Sequence, residues 1–221
     1  MRHLMAMAML LTWLWSVPTD AQEARNATAL WKAAIAAVDT GQYASPERQT
    51  RLYADAARFA DSAAKLAPRD PDARVVKAIA AGRKALSLGP RDRVQYAVLV
   101  RSEVLAALAI APDHAGAHHV LGMWHAEVLR LNPVARLAAR TLLGASVFGE
   151  ADWDVAQRAL ERAVALEPDR ITHRLDLAGV LADRGNAAGA RAQYDWIARA
   201  PAREYNDQTY KRLAAERLRR L

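Results

Sequence analysis

Four of the six histidines fall between His114 and His125, and Asp113 stands at the head of that run. His114 and His118 are four apart, a spacing that stacks them on one face of a helix, and with Asp113 they offer two imidazoles and a carboxylate to a divalent metal. A metal-dependent enzyme would need these groups to converge, with His119 and His125 completing the set. A second reading needs no metal. Asp113 caps a helix beginning at His114, as Asp commonly does, while His118 and His119 pack or line a groove. We adopt the second reading and assign neither metal nor cofactor.

Other chemistry is excluded by motif and composition. The chain has no Gly-rich phosphate loop, no G-x-S-x-G elbow and no H-E-x-x-H zinc helix, and His125-Ala126-Glu127 does not substitute for the last. Without cysteine there are no disulfides, no thiol nucleophile and no thiolate metal site. The formal charge of +7 permits anionic partners. The basic residues, however, are interleaved with acids along helices, and few aromatics are present to stack bases, so nucleic acid is not expected as a partner. The cations Lys211, Arg212, Arg217, Arg219 and Arg220 close the last helix, where the dipole favours them.

The elements that must position these side chains are helices. Apolar residues recur at helical spacing from Glu23 to Leu221, and the breaks fall at Gly, Pro and Asp. The pattern predicts ten helices, at about 24–39, 46–67, 71–87, 91–110, 114–131, 133–144, 152–167, 170–184, 186–199 and 203–220. Four stops look alike: Leu66-Ala67-Pro68, Ile110-Ala111-Pro112, Leu166-Glu167-Pro168 and Arg199-Ala200-Pro201. The intervals between these prolines are 44, 56 and 33 residues, so the excess in the second places an inserted helix around Asn132 to Ala151. Pro133 suits its first position, and Leu137, Leu142 and Leu143 with Arg136 and Arg140 make it amphipathic.

Leu121-Gly122 sets an apolar anchor beside a glycine, which lets a neighbouring helix come close. Ala156, Leu160 and Ala163 are spaced by four and three, forming a small-large-small face that ends at Pro168. These positions resemble the tetratricopeptide pattern, whose period is about 34 residues. The resemblance implies an all-α, right-handed array of antiparallel helix pairs interrupted by one inserted helix. A narrower likeness rests on His119, Gly122 and Trp124, then the inserted ARLAARTLLG, then AQRALERAVALEPD. Together these resemble the regulator of microtubule dynamics family, over about Tyr53 to Tyr210. That family is a tetratricopeptide-like helical adaptor without catalytic residues, whose eukaryotic members associate with microtubules or with mitochondrial and reticulum membranes. Trp124 is expected to pack on the inserted helix near Leu137.

The resemblance to tetratricopeptide arrays also implies that the first helix of each pair faces a concave groove. Carried onto this chain, the inward stripes are Val75, Ile79 and Arg83, then His119, Met123 and Glu127, then Leu175, Gly179 and Asp183. Each set keeps the i, i+4, i+8 spacing of one helical stripe. Inward residues of a tightly wound array serve equally as core, Met123 above all. The expected function is a non-enzymatic scaffold that captures a protein or peptide segment in the concave face. A lipid or amphiphile carrier is the alternative, and it requires an enclosed apolar pocket.

Met1 to Ala21 has Arg2 near its start, an apolar run from Leu4 to Val17 and the small-residue sequence Thr19-Asp20-Ala21, as a secretory signal does. Its apolar run is shorter than the roughly 20 residues of a membrane span. The expectation is export to the periplasm or beyond, with cleavage after Ala21 and a single domain at 22–221. An uncleaved N-terminal anchor is the alternative. Export would place the domain away from any cytoskeleton, and no membrane span is expected after the signal is removed.

Overall fold

In the computed structural model, residues 20–221 are described. The expected signal segment lies outside the described residues, apart from Asp20 and Ala21. Ten α-helices follow in order: α1 Asp20–Gly41, α2 Pro46–Leu66, α3 Pro71–Ala85, α4 Pro90–Ile110, α5 Ala115–Arg130, α6 Pro133–Leu142, α7 Trp153–Leu166, α8 Ile171–Asp183, α9 Ala187–Arg199 and α10 Asp207–Leu218. A 3-10 turn at Ser146–Glu150 joins α6 to α7. No strand occurs among the described residues. The helices pair as α1 with α2, α3 with α4, α5 with α7 and α8 with α9, and α10 covers the last pair. The inserted helix α6 therefore lies, in chain order, between the two members of the third pair, which pack on each other directly.

Three of the helix ends share one physical device. Ala67, Ala111 and Glu167 adopt nearly the same non-helical conformation, with φ of −130°, −132° and −128°. Each donates its N–H to the carbonyl four residues back, at Ala63, Ala107 and Ala163. A proline follows, and its carbonyl accepts from the side chain six positions on: Arg74 Nε to Pro68 at 2.9 Å, His118 Nε2 to Pro112 at 2.8 Å and Arg174 Nε to Pro168 at 2.9 Å. The proline ends one helix because it has no N–H to continue the ladder, and the next helix holds the turn by gripping the exposed carbonyl. The repeat is thus encoded in both the stop and the restart.

Two ends differ from the sequence expectation. His114 caps α5 in place of Asp113, with Nδ1 accepting from the N–H of Ala117 at 3.1 Å. Asp113 instead pairs with Arg162 of α7 at 2.6 Å. The last helix starts at Asp207 and not near 203, because the Asp207 carboxylate draws the N–H groups of Arg203 and Glu204 into a turn at 2.7 and 2.8 Å.

The core is built mainly from alanine, and it divides into one cluster under α1–α3, a second under α3–α6 and a third under α5 and α7–α10. Small side chains let helices approach closely, as at Gly122. A Cβ there would lie 2.7 Å from Leu160 Cγ and 2.8 Å from the Ala156 carbonyl oxygen. Ala156, Leu160 and Ala163 are fully buried against it.

Candidate concave binding face

The first helices of successive pairs stand side by side, α1 against α3, α3 against α5 and α5 against α8, and α10 extends the row beside α8. The row then returns on itself. Asn206 Nδ2 donates to the Asp39 carbonyl at 3.2 Å, and the Tyr210 hydroxyl donates to Gln42 Oε1 at 3.1 Å. The end of α1 and the start of α10 are far apart in sequence, yet these bonds tie the two ends of the array together around its inner face.

Polar side chains cross that face from helix to helix. His119 of α5 meets Asp176 of α8 at 2.8 Å, and its ring lies edge-on to His173 at 4.6 Å. His173 is 1% exposed and reaches Glu167 at 3.0 Å, and Glu167 also accepts from Arg170 at 2.9 Å. Arg170 in turn pairs with Glu204 at 2.9 Å. Burial pushes the Asp176 carboxyl up, but the hydrogen bond from His119 and the charges of His119, Arg217 and Arg83 outweigh it and leave the pKa below its ordinary value. Desolvation depresses His173 to about 4, so it is neutral at neutral pH and Nε2–H donates to Glu167. That bond, with Arg170, draws Glu167 down to about 2 despite partial burial. Among the described residues no hydrogen bond joins a Ser or Thr hydroxyl to this chain of groups.

The other expected site residues fall into distinct places. Arg130 joins Glu127 at 2.5 Å to Asp183 at 2.5 Å, linking α5 to α8 at the rim. Met123 is half-buried against the third core cluster, and Ile79 is half-buried between the first two. Val75 and Leu175 are each 4% exposed and belong to the cores, so they offer no open surface to a ligand. Arg83 is half-buried and its side chain makes no hydrogen bond or ion pair to a described residue, while its charge acts on Asp39, Tyr43, Asp176 and Tyr210. It is a cation facing the interior of the row with no fixed partner. Asp176, Arg130, Arg170 and Tyr210 escaped sequence reasoning. Only Arg130 left a signal there, as the residue three beyond Glu127.

The histidine run does not converge. His114 Nε2 faces Asp72 at 3.1 Å, His118 bonds Pro112, His119 bonds Asp176, and His125 Nδ1 accepts from the N–H of Asp152 at 3.1 Å. Burial and the nearby Arg101 push His125 down in pKa, consistent with a neutral ring fastening the start of α7. Trp124 also departs from expectation. It is buried, with Nε1 donating to the Ala97 carbonyl at 2.8 Å and its ring edge-on to Phe148 at 5.9 Å. Leu137 remains 57% exposed. The insertion does close over Trp124, but through Phe148 of the 3-10 turn, because the helix turns Ala139 and not Leu137 towards the core.

A concavity of about 410 Å³ lies at the turn before α8 and is lined mainly by Glu167, Asp169, Glu204 and Asp207 together with Arg170 and Arg203. Its charged lining does not suit an acyl chain. No helix among the described residues is long and apolar enough to cross a membrane.

A model of the family described as regulator of microtubule dynamics protein 1-3 matches residues 14–221. A crystal structure of a thermophilic tetratricopeptide protein from Thermus thermophilus is similar, with a TM-score of 0.50 and 18% identity, covering 90% of this chain and all of that one. A pilF protein of Pseudomonas aeruginosa aligns at a TM-score of 0.36 and 15% identity, over 90% of this chain and 92% of that one. No curated protein matches the sequence.

Proposed function

The chain belongs to the regulator of microtubule dynamics protein family, and from that membership we propose that it is a non-enzymatic scaffold capturing an extended protein segment on its concave face. What supports this reading is Arg83, a half-buried cation whose side chain makes no hydrogen bond or ion pair to a described residue, on a face where Asp176 is paired with His119, and Arg130 with Glu127 and Asp183. A guanidinium binds a carboxylate bidentately and fixes its orientation. Half-exposed Tyr43 and half-buried Met123 supply adaptable apolar contact on either side of the charge. The segment it suits is therefore an extended peptide bearing one carboxylate among apolar residues. We take 22–221 as one domain, acting outside the cytoplasm.

Selection from a displayed peptide library tests this. Acid-bearing peptides should be enriched, and Arg83→Gln should abolish their binding while leaving the melting temperature nearly unchanged, since no bond within the fold is lost. Peptides that bind wild type and Arg83→Gln equally would refute the assignment.

A further inference from the structure

The cavity of about 410 Å³ before α8 is formed by two turns. The turn from α7 into α8 supplies Glu167, Asp169 and Arg170, and the turn from α9 into α10 supplies Arg203, Glu204 and Asp207. Four carboxylates thus meet two guanidiniums, and both guanidiniums are committed. Arg170 spans Glu167 and Glu204, each at 2.9 Å, and Arg203 pairs with Asp169 at 2.8 Å. His173 behind Glu167 adds no charge at neutral pH, because burial holds it to about 4, while Glu167 stays ionised with its pKa drawn to about 2. The lining keeps a formal excess of negative charge.

Asp207 is 2% exposed, yet only half of its carboxylate is used. Oδ2 accepts the N–H groups of Arg203 and Glu204, whereas Oδ1 is buried and accepts from no described residue. A carboxylate oxygen held away from water without a donor is costly, and a donor brought into the cavity relieves that cost. The starts of α8 and α10 border the same space, and helix starts attract anions. That role is filled from within the chain: Asp207 occupies the first turn of α10, and Glu167 bonds to Arg170 and His173 at the start of α8. An incoming anion would meet four carboxylates, whereas an incoming cation completes them.

The cavity also lies close to Arg83. Asn206, next to Asp207, donates to Asp39, and the charges of Glu204, Arg170 and Arg83 all act on the Asp39 carboxyl. The cavity and Arg83 are therefore both within electrostatic reach of one residue, a span that a short extended segment covers at ~3.3 to 3.6 Å per residue. We propose that this cavity is a cation subsite, taking an arginine or lysine side chain of the captured segment while Arg83 takes its carboxylate. This rests on the reading that the concave face holds an extended segment. The segment then carries opposite charges a few residues apart, and the two subsites together fix its direction along the face. Arginine suits the cavity better than lysine, because its planar fork offers several N–H donors at once to carboxylates on two turns.

NMR titration of the full chain tests the cavity by itself, with N-acetyl-arginine amide as the probe and N-acetyl-glutamine amide as its uncharged counterpart. The arginine probe should shift the backbone amides of Asp169, Arg203, Glu204 and Asp207, and the glutamine probe should not. Glu167 and Asp207 also hold turns of the fold, so the variant is Asp169→Asn with Glu204→Gln, whose side chains are 69% and 44% exposed. It should weaken probe binding roughly tenfold, as loss of a charged hydrogen bond does, with a melting temperature close to wild type. Arg83→Gln should leave probe binding unchanged. A displayed peptide library then tests the pairing: wild type should select an acid and a base at a fixed separation, the double variant only the acid, and Arg83→Gln only the base. An acid selected by wild type without a base overturns the cation subsite and leaves the Arg83 reading standing. A base without an acid does the reverse, and selection of neither overturns both. Equal shifts from the two probes, or none, would overturn the proposal. So would the same shifts produced at lower concentration by calcium or by inorganic phosphate, which would assign the cavity to a metal or to an anion.

Discussion

Acid titration of His173 offers the sharpest check on the inner polar chain. The ring is 1% exposed, with Glu167, Arg170 and His119 as its charged or titratable neighbours. Its pKa is about 4 in the folded protein against an ordinary 6.5. Above pH 6.5 the ring is neutral in both states and its packing contributes fully. Between 6.5 and 4 the unfolded chain binds a proton that the folded one refuses, so stability falls with pH at up to about 1.4 kcal/mol per unit. The accumulated loss is about 3 kcal/mol by pH 4. Glu167 has the same sign in a lower window: its value is drawn from 4.5 to about 2, so its contribution is whole above 4.5 and disappears as pH falls through 2. Urea unfolding at stepped pH, with wild type beside His173→Leu, separates the two groups. Wild type should lose about 3 kcal/mol more than the variant between pH 7 and 4, and the His173 ring protons should titrate near 4 by NMR. Parallel curves, or a ring midpoint above 6, would refute the assignment of a desolvated neutral donor.

Gly122→Ala should destabilise by about 1 to 3 kcal/mol in denaturant unfolding. Adding Leu160→Ala should not rescue it, because the Ala156 carbonyl remains 2.8 Å from the new methyl. Trp124→Ala should cost about 3 to 5 kcal/mol as a buried aromatic, and Leu137→Ala almost nothing in the same assay. Intact-mass analysis of protein from expressing cells should place the N-terminus at Gln22, which would leave the core whole because the first buried residue of α1 is Ala27; soluble protein still beginning at Met1 would count against export. A chelator should leave the melting temperature unchanged, and a drop of many degrees reversed by zinc would restore the metal reading of His114 and His118.

The helices and the insertion were legible because both are local quantities. Spacings of three and four residues specify a helix without reference to anything distant, and a proline forbids continuation whatever surrounds it. The interval between Pro112 and Pro168 then exposes α6 as an excess of chain. A further signal was present but unread: the residue six after each of three repeat prolines is Arg74, His118 or Arg174, and each grips the proline carbonyl. The cap at α5 departs from the sequence expectation because Asp is the commoner capping residue, while His114 lies one position nearer the first turn and offers an acceptor nitrogen of its own.

The inner face shows why register alone does not identify a binding surface. Val75, His119 and Leu175 stand at the same distance, seven residues, from Pro68, Pro112 and Pro168, yet the two aliphatic residues sink into the cores and the imidazole turns across to Asp176. What each side chain does is decided by the helix opposite: an alanine-lined neighbour accepts a methyl, whereas a desolvated nitrogen must find a partner. The partners arrive from 57 residues away for His119, 53 for Arg130 and 168 for Tyr210, distances no periodic pattern encodes. The same rule singles out Arg83. Its side chain has no hydrogen-bond or ion-pair partner among the described residues, so its charge remains for a molecule outside the chain, and a substitution that removes it should register in binding before it registers in stability.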